Sequence, residues 1–310
     1  MDTTIRNVIL SLLAVLALFA LIIWIGGSLN ESLQLDETAF MRFVFVIIGL
    51  LIVFAVYWFT RENDIWEVGT REVVYMAIGA ALYAIFSYLF NGTVFAVPSV
   101  SQVALRPAIC IPMFFGYAFG PVVGFFTGAV GNMFGDALTG FGLSPQWSIG
   151  NGLVGFISGL VWLFPDKKKS IDRVLVISGA IALLATIVYF LWPTIENMLF
   201  FDVPAGIFGD AQISLIAGIS IAIGFVLVLI AYLLFRNNIE IAAAVVWSML
   251  GNLLGILFAA LSDIWINGFS FPVAMVGEYI PAAGPNLIFA AILVPLLVGA
   301  YAAVQRQSGR

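Results

Sequence analysis

Residues 106–136 read RPAICIPMFFGYAFGPVVGFFTGAVGNMFGD, and this stretch predicts a tight hairpin of two helices. Gly120 can end the first helix and Pro121 can begin the second, because proline at the first helical position gives up no needed hydrogen bond. The glycines that follow recur at three- and four-residue spacing on one helix face: Gly124, Gly128 and Gly131. Another helix backbone can lie closely against such a face, and ordinary helix packing alone would also account for it.

The composition around this hairpin is that of a membrane protein. The chain has 310 residues, of which 63% are hydrophobic and 9% charged, with a mean hydropathy of +1.12; these values exclude a water-soluble domain. Its apolar runs are long enough, at about 1.5 Å per residue, to cross roughly 30 Å of hydrocarbon. With no histidine and a net charge of -5, we expect no catalytic site, no metal, no cofactor and no nucleic-acid partner.

The hydrophobic runs predict about ten transmembrane helices and therefore an all-α polytopic fold. Their approximate spans are 8–25, 40–59, 73–90, 105–119, 121–138, 147–163, 172–192, 212–235, 240–260 and 284–304. With ten spans both termini lie on one side, and ten of the twelve basic residues fall there. The positive-inside rule makes that side the cytoplasm, so that only Arg42 and Arg106 face outward.

Charged segments divide the chain into two parts. The polar stretch 60–71 separates a two-helix membrane anchor, residues 1–66, from a transmembrane body, residues 67–310. Because loops carry recognition, a ligand site is expected to draw on the long outward segments. Those segments are 26–39, 91–104, 193–211 and 261–283.

The order of motifs in the body carries more information than any one of them. A helix with small residues is followed by an outward loop, a short helix, Phe-Gly-Pro-x-x-Gly at 119–124 and a glycine-rich helix that ends in Gly135-Asp136. This order resembles the substrate-binding (S) components of energy-coupling-factor (ECF) vitamin transporters. The likeness covers 73–163, and Gly284-Pro285-Asn286 resembles the start of the family's final helix, here 284–304. Since that family has six helices, the resemblance implies a six-helix core plus the N-terminal pair and a hairpin inserted within 171–260.

The resemblance also implies a mechanism. S components of prokaryotic plasma membranes bind a vitamin or related micronutrient from outside. They pass it inward when docked on a transmembrane coupling subunit that two ATPase subunits drive. This chain has no Gly-x-x-x-x-Gly-Lys loop with which to hold ATP itself. In the family a small-residue stripe on the first body helix docks on the coupling subunit, and the matching residues are Ala77, Ala80, Ala81 and Ala84; packing within the chain is the other reading.

The ligand site implied by the resemblance lies in the outer half of the body, under the loop that follows its first helix. Trp147 and Asn151 share one helix face and would place a stacking surface beside an amide, although tryptophan gathers at membrane interfaces in any case. Arg106 could hold an anionic ligand group or form a structural ion pair with Asp136. The candidate binding residues are Asn91, Gln102, Arg106, Trp147, Asn151, Trp265, Asn267, Glu278 and Asn286.

Three other functions stay open. An ion-gradient-driven secondary transporter would need acids within its spans, and five of the ten spans contain none except the terminal Asp172 and Glu240. A membrane enzyme would have to rely on outward acids alone, and a membrane assembly factor would hold no small molecule. The identity of a vitamin is also open, although the aromatic residues favour a flat ring system such as riboflavin or a thiamine-like compound.

Overall fold

The computed structural model describes residues 3–90, 97–101, 103–140, 142–197 and 212–308, and every regular element in these ranges is helical. The α-helices are α1 (Thr3–Leu29), α2 (Ala39–Thr60), α3 (Thr70–Phe90), α4 (Cys110–Phe119), α5 (Pro121–Thr139), α6 (Pro145–Gly159), α7 (Lys167–Leu191), α8 (Leu215–Gly218), α9 (Ser220–Phe235), α10 (Ile239–Ile266) and α11 (Ile280–Gln307). This confirms the all-α prediction.

Six helical stretches of the described chain are long and apolar enough to cross a membrane. They are α1, α2, α3, α7, α10 and the continuous helix formed by residues 273–307. Residues 107–119 and α9 form shorter apolar helices. The chain is therefore a multi-pass membrane protein, as the sequence predicts.

Two predicted boundaries were wrong. The span 212–235 is interrupted at Ile219, which separates the single turn of α8 from α9. The segment 261–283, predicted as a loop, is largely helical, since α10 continues to Ile266 and a π-helix (Val273–Tyr279) leads directly into α11. Its polar residues made this segment read as a loop, but Asp263 and Glu278 are buried inside the bundle rather than exposed.

Glycines bring α4, α5 and α6 into backbone contact. α4 ends at Gly120, whose φ of 103° suits glycine, and α5 begins at Pro121. A Cβ built on Gly155 of α6 would lie 2.2 Å from the carbonyl oxygen of Gly124, and one on Gly116 would lie 1.9 Å from the carbonyl oxygen of Gly155. No side chain fits at these positions, so the three helices approach as closely as their backbones allow.

The remaining helices surround this centre. α1 packs on α5 and α2 packs on α6, while α10 lies between α6, α7 and α11 and is buried along most of its length. The N-terminal pair therefore packs on α5 and α6, and α7, α9 and α11 pack around α10.

The two ends of the bundle differ in chemistry. At one end, called here the basic end, Lys167 at the start of α7 binds Glu240 at the start of α10 at 2.7 Å. The start of α1 and Thr70 of α3 border one depression with Trp162 at this end, and Tyr301 of α11 stacks edge-on with Phe119. The opposite end, called the cavity end, holds the polar cavity described below.

The glycine contact gives a direct test of the fold. We expect Gly155→Ala to destabilise the protein by about 1–3 kcal/mol, because its Cβ would meet backbone that cannot move aside. Thermal melting in detergent measures the effect. Gly299→Ala is the control, since a Cβ there meets only Ile241 at 3.9 Å and helix propensity favours alanine. Equal melting temperatures for the two variants would contradict the close contact.

Candidate functional site

A cavity of about 240 Å³ lies at the cavity end of the bundle. Its walls come from the start of α2, the segment before α4, the end of α5, the start of α6, the end of α10 and the residues around the π-helix. Polar side chains line much of it, which is unusual for the interior of so apolar a protein. An intramembrane cluster of this kind indicates a functional site.

An ion pair forms one wall of the cavity. The Nη2 atom of Arg106 lies 3.1 Å from Oδ1 of Asp136, and both side chains are largely buried. Arg106 also donates to Oδ1 of Asn132, whose amide donates to Asp136 at 2.8 Å and to the Ser148 hydroxyl at 3.0 Å. These bonds hold the guanidinium against α5, in agreement with the predicted structural ion pair between Arg106 and Asp136. Arg106 nevertheless lines the cavity.

A second chain of hydrogen bonds forms another wall of the cavity. Asp263 of α10 accepts the Trp147 indole N–H at 2.7 Å and the Gln146 amide at 3.1 Å. Gln146 in turn accepts from Nη1 of Arg42 at 3.3 Å, so that α2, α6 and α10 are joined. Asp263 is therefore a buried carboxylate whose two oxygens are both bonded.

Amide groups complete the lining between these walls. Asn151 accepts the Tyr83 hydroxyl at 3.0 Å and donates to the carbonyl oxygen of Trp147 at 2.9 Å. On the α11 side, the amide of Asn286 donates to Asn252 at 3.0 Å. Both cavity amides are thus held in fixed orientations by hydrogen bonds to their neighbours.

Glu278 differs from the other acids of the cavity. It is 0% exposed and lines the cavity, yet neither carboxylate oxygen forms a hydrogen bond with a described residue. Ser101 and Asp263 are its polar neighbours, but neither has hydrogen-bond geometry. A buried carboxylate in this state needs an explanation.

Hydrogen bonds hold the described part of the loop after α3 next to the residue that precedes Glu278. The N–H of Val100 donates to the carbonyl oxygen of Gly277 at 2.9 Å, and that carbonyl is available because Pro281 has no N–H to bond it in α-helical fashion. The N–H of Ser99 donates to Asn197 at 3.1 Å. Ser101 and Val103 of this region line the cavity.

The structure brings together six of the nine candidate binding residues. Those that line the cavity are Arg106, Trp147, Asn151, Asn267, Glu278 and Asn286. Asn91 and Gln102 lie outside the described residues. Trp265 does not line the cavity; it is 60% exposed and packs against Phe45 at 5.7 Å between ring centroids.

The polar residues of the cavity that sequence reasoning missed as candidates include Arg42, Asn132 and Gln146. Two of them carried a signal. Arg42 is one of two basic residues assigned to the outward side, and Asn132 precedes Asp136 by one helical turn on the same face. Gln146 carried none, because its role depends on α2 and α10 meeting α6. Among the described residues, no group of three or more metal-ligating side chains is gathered.

The alanines of the predicted docking stripe lie along a groove on a different face. Ala77 and Ala81 of α3 are exposed, whereas Ala80 and Ala84 are buried beneath them. The groove is apolar and is bordered by Leu18 of α1 and by aromatic residues of α5.

Comparison with known proteins places this fold in a family. A family model described as the S component of the ECF-type riboflavin transporter matches residues 67–232. A UPF0397 protein of Vibrio atlanticus (strain LGP32) is 38% identical over 100 residues, which are 32% of this chain and 51% of that protein. A UPF0397 protein of Aliivibrio fischeri (strain MJ11) is 36% identical over 104 residues, 34% of this chain and 53% of that protein.

A third relative aligns over more of its length. The UPF0397 protein of Streptococcus pneumoniae serotype 19F (strain G54) is 30% identical over 170 residues, 52% of this chain and 89% of that protein. The alignments with the two former relatives span about half of their length. No solved structure matches this chain.

The match of the family model to more than half of the residues, together with the S-component order of motifs, shows that this chain belongs to the ECF-type riboflavin transporter S component family.

Proposed function

We propose that this chain captures a vitamin or related micronutrient in its polar cavity and passes it inward as part of an ECF-type importer. The observation that carries the proposal is a cavity of fixed polar groups inside a bundle that is otherwise apolar. Enclosed sites with a few oriented polar groups are the usual form of small-molecule sites. The description of the family names riboflavin.

The distribution of charge supports an outward-facing cavity. Apart from Arg42 and Arg106, the basic residues of the described helices cluster towards the basic end, including Lys167 and Arg173. By the positive-inside rule that end faces the cytoplasm of a prokaryotic cell. Both termini then lie in the cytoplasm and the cavity opens toward the outside, where a capture subunit meets its ligand.

The exposed alanines support docking on a coupling subunit. Ala77 and Ala81 are one helical turn apart on the exposed side of α3, and small residues let a partner helix approach closely where lipid supplies no hydrophobic drive. The partners proposed are a transmembrane coupling subunit and two ATPase subunits. The groove beside α1 would then be covered in the complex.

One observation keeps an ion-driven transporter as the second candidate. α10 extends further than the sequence predicts and so carries Asp263 inside a long apolar helix, close to Glu278. Buried acids of this kind serve as ion sites in secondary transporters. Uptake into proteoliposomes discriminates the two: an ECF importer requires the ATPase subunits and ATP, whereas a secondary transporter requires only an ion gradient.

Ligand retention tests the cavity. We expect Trp147→Phe to reduce severalfold the small molecule that copurifies with the detergent-extracted protein, because the indole N–H that orients Asp263 is lost. Mass spectrometry of the molecule released on denaturation measures the amount. Trp265→Phe is the matched control, since Trp265 does not line the cavity. Equal losses in both variants would contradict this site.

The contribution of the N-terminal helices can be tested separately. Arg42→Gln removes the cation that reaches Gln146 from α2, and we expect it to weaken ligand retention severalfold. Arg61→Gln changes the same side-chain type at the other end of α2 and should leave retention unchanged. Retention that survives Arg42→Gln would limit residues 1–66 to the anchoring role that the sequence predicts.

Docking has its own test. Ala77→Trp or Ala81→Trp should abolish copurification with the coupling subunit, because the large side chain keeps the partner helix away. Ligand retention should be unchanged, since these residues line the groove and not the cavity. Ala55→Trp on the exposed side of α2 is the control. Complex formation that persists in the Ala77 and Ala81 variants would remove this face as the docking surface.

A further inference from the structure

The charged groups of the cavity do not balance. Arg106 is paired with Asp136, and Arg42 reaches Asp263 through Gln146. Glu278 is left without a cationic neighbour that contacts it among the described residues. The cavity therefore contains one more carboxylate than its basic residues satisfy.

Such a carboxylate is costly to keep. Removing an ionised group from water costs several kcal/mol unless a partner replaces the lost hydration, and Glu278 is 0% exposed with two unbonded oxygens. The three residues that precede it in the same π-helix are apolar: Met275, Val276 and Gly277. A buried group that has no partner in the ligand-free protein and lines its cavity is explained if the ligand supplies that partner.

The surroundings define what that partner is. Asp263 interacts with Glu278 through its charge and raises the negative potential at this side of the cavity. The indole of Trp147 lines the same cavity, and aromatic rings attract cations. An anion or a ring edge rich in acceptor oxygens would be repelled here, whereas a positively charged nitrogen would satisfy both the charge and the unbonded oxygens.

We propose that the ligand of this cavity carries a cationic nitrogen that binds Glu278. This inference rests on the proposed capture function and narrows its substrate to a cationic, nitrogen-containing micronutrient. Riboflavin, named in the family description, has an uncharged ring system and does not supply the missing cation. Arg106 and Asn132 line the same cavity and provide a further polar contact for the rest of the ligand.

The test compares full-length wild-type protein with Glu278→Gln, a variant of nearly the same shape without the charge. Both are extracted in detergent, and the small molecule released on denaturation is quantified and identified by mass spectrometry. Thiamine and riboflavin, a cationic and an uncharged ring compound, are added as defined competitors. Glu240→Gln is the matched control, because Glu240 lies at the basic end of the bundle and is bound by Lys167 and Tyr117.

We expect the retained molecule to contain a nitrogen that is cationic at neutral pH, and thiamine to displace it better than riboflavin does. Glu278→Gln should retain it more than about thirtyfold more weakly. The same variant should melt at the wild-type temperature or above it when ligand-free, because the lost carboxylate had no partner. Glu240→Gln should show the opposite pattern, with a lower melting temperature and wild-type retention.

The failures are distinguishable. A retained molecule without a cationic nitrogen, or equal retention by Glu278→Gln, would overturn this inference and leave the capture function standing. A Glu278→Gln protein that melts well below wild type would assign Glu278 a structural role and also overturn it. Wild-type protein that retains no small molecule would overturn the capture function itself.

Discussion

The close approach of α5 and α6 is the constraint on which the rest of this structure depends. In a bilayer the lipid tails are as apolar as the helices, so association has to come from dispersion contacts between closely fitting surfaces. Gly124 and Gly155 provide that fit because each backbone occupies the space that a side chain would need on the other helix. The same two helices carry Asn132 and Asp136 on one side and Gln146 and Trp147 on the other. The glycine contact therefore also sets the separation of the two cavity walls.

Polar groups in such a bundle have to satisfy one another, and this requirement shapes the cavity. Arg106, Asp136 and Asn132 bond among themselves, and Asp263 is bonded by two donors from α6. Residues held in this way present the same groups to every ligand and lose little freedom on binding. Glu278 is the exception among the acids that line the cavity, because neither of its carboxylate oxygens is bonded to a described residue.

The sequence was sufficient for those features that depend on local pattern. The turn at Gly120 and Pro121 and the spacing of the glycines follow from helix geometry, and the sequence also offers the pairing of Arg106 with Asp136 as one of two interpretations. The sequence does not predict features that depend on three helices meeting, and the hydrogen bond from Arg42 to Gln146 is an example. The polar residues of 261–283 were misread because hydropathy cannot distinguish a solvated loop from a buried helix that faces a polar cavity. Trp265 is a candidate because of its aromatic side chain alone, and it is exposed instead of lining the cavity.

Only some of the cavity residues lie in the region that the family model matches. The matched region, residues 67–232, supplies Arg106, Asn132, Asp136, Gln146 and Trp147. Arg42 precedes that region, and Asp263, Glu278 and Asn286 follow it. The helices that the match covers thus include the two joined by the glycine contact, whereas the charged residues Arg42, Asp263 and Glu278 come from helices outside it. Since specificity is a difference of affinities set by just such charged groups, membership of the family supports a shared scaffold more strongly than a shared vitamin.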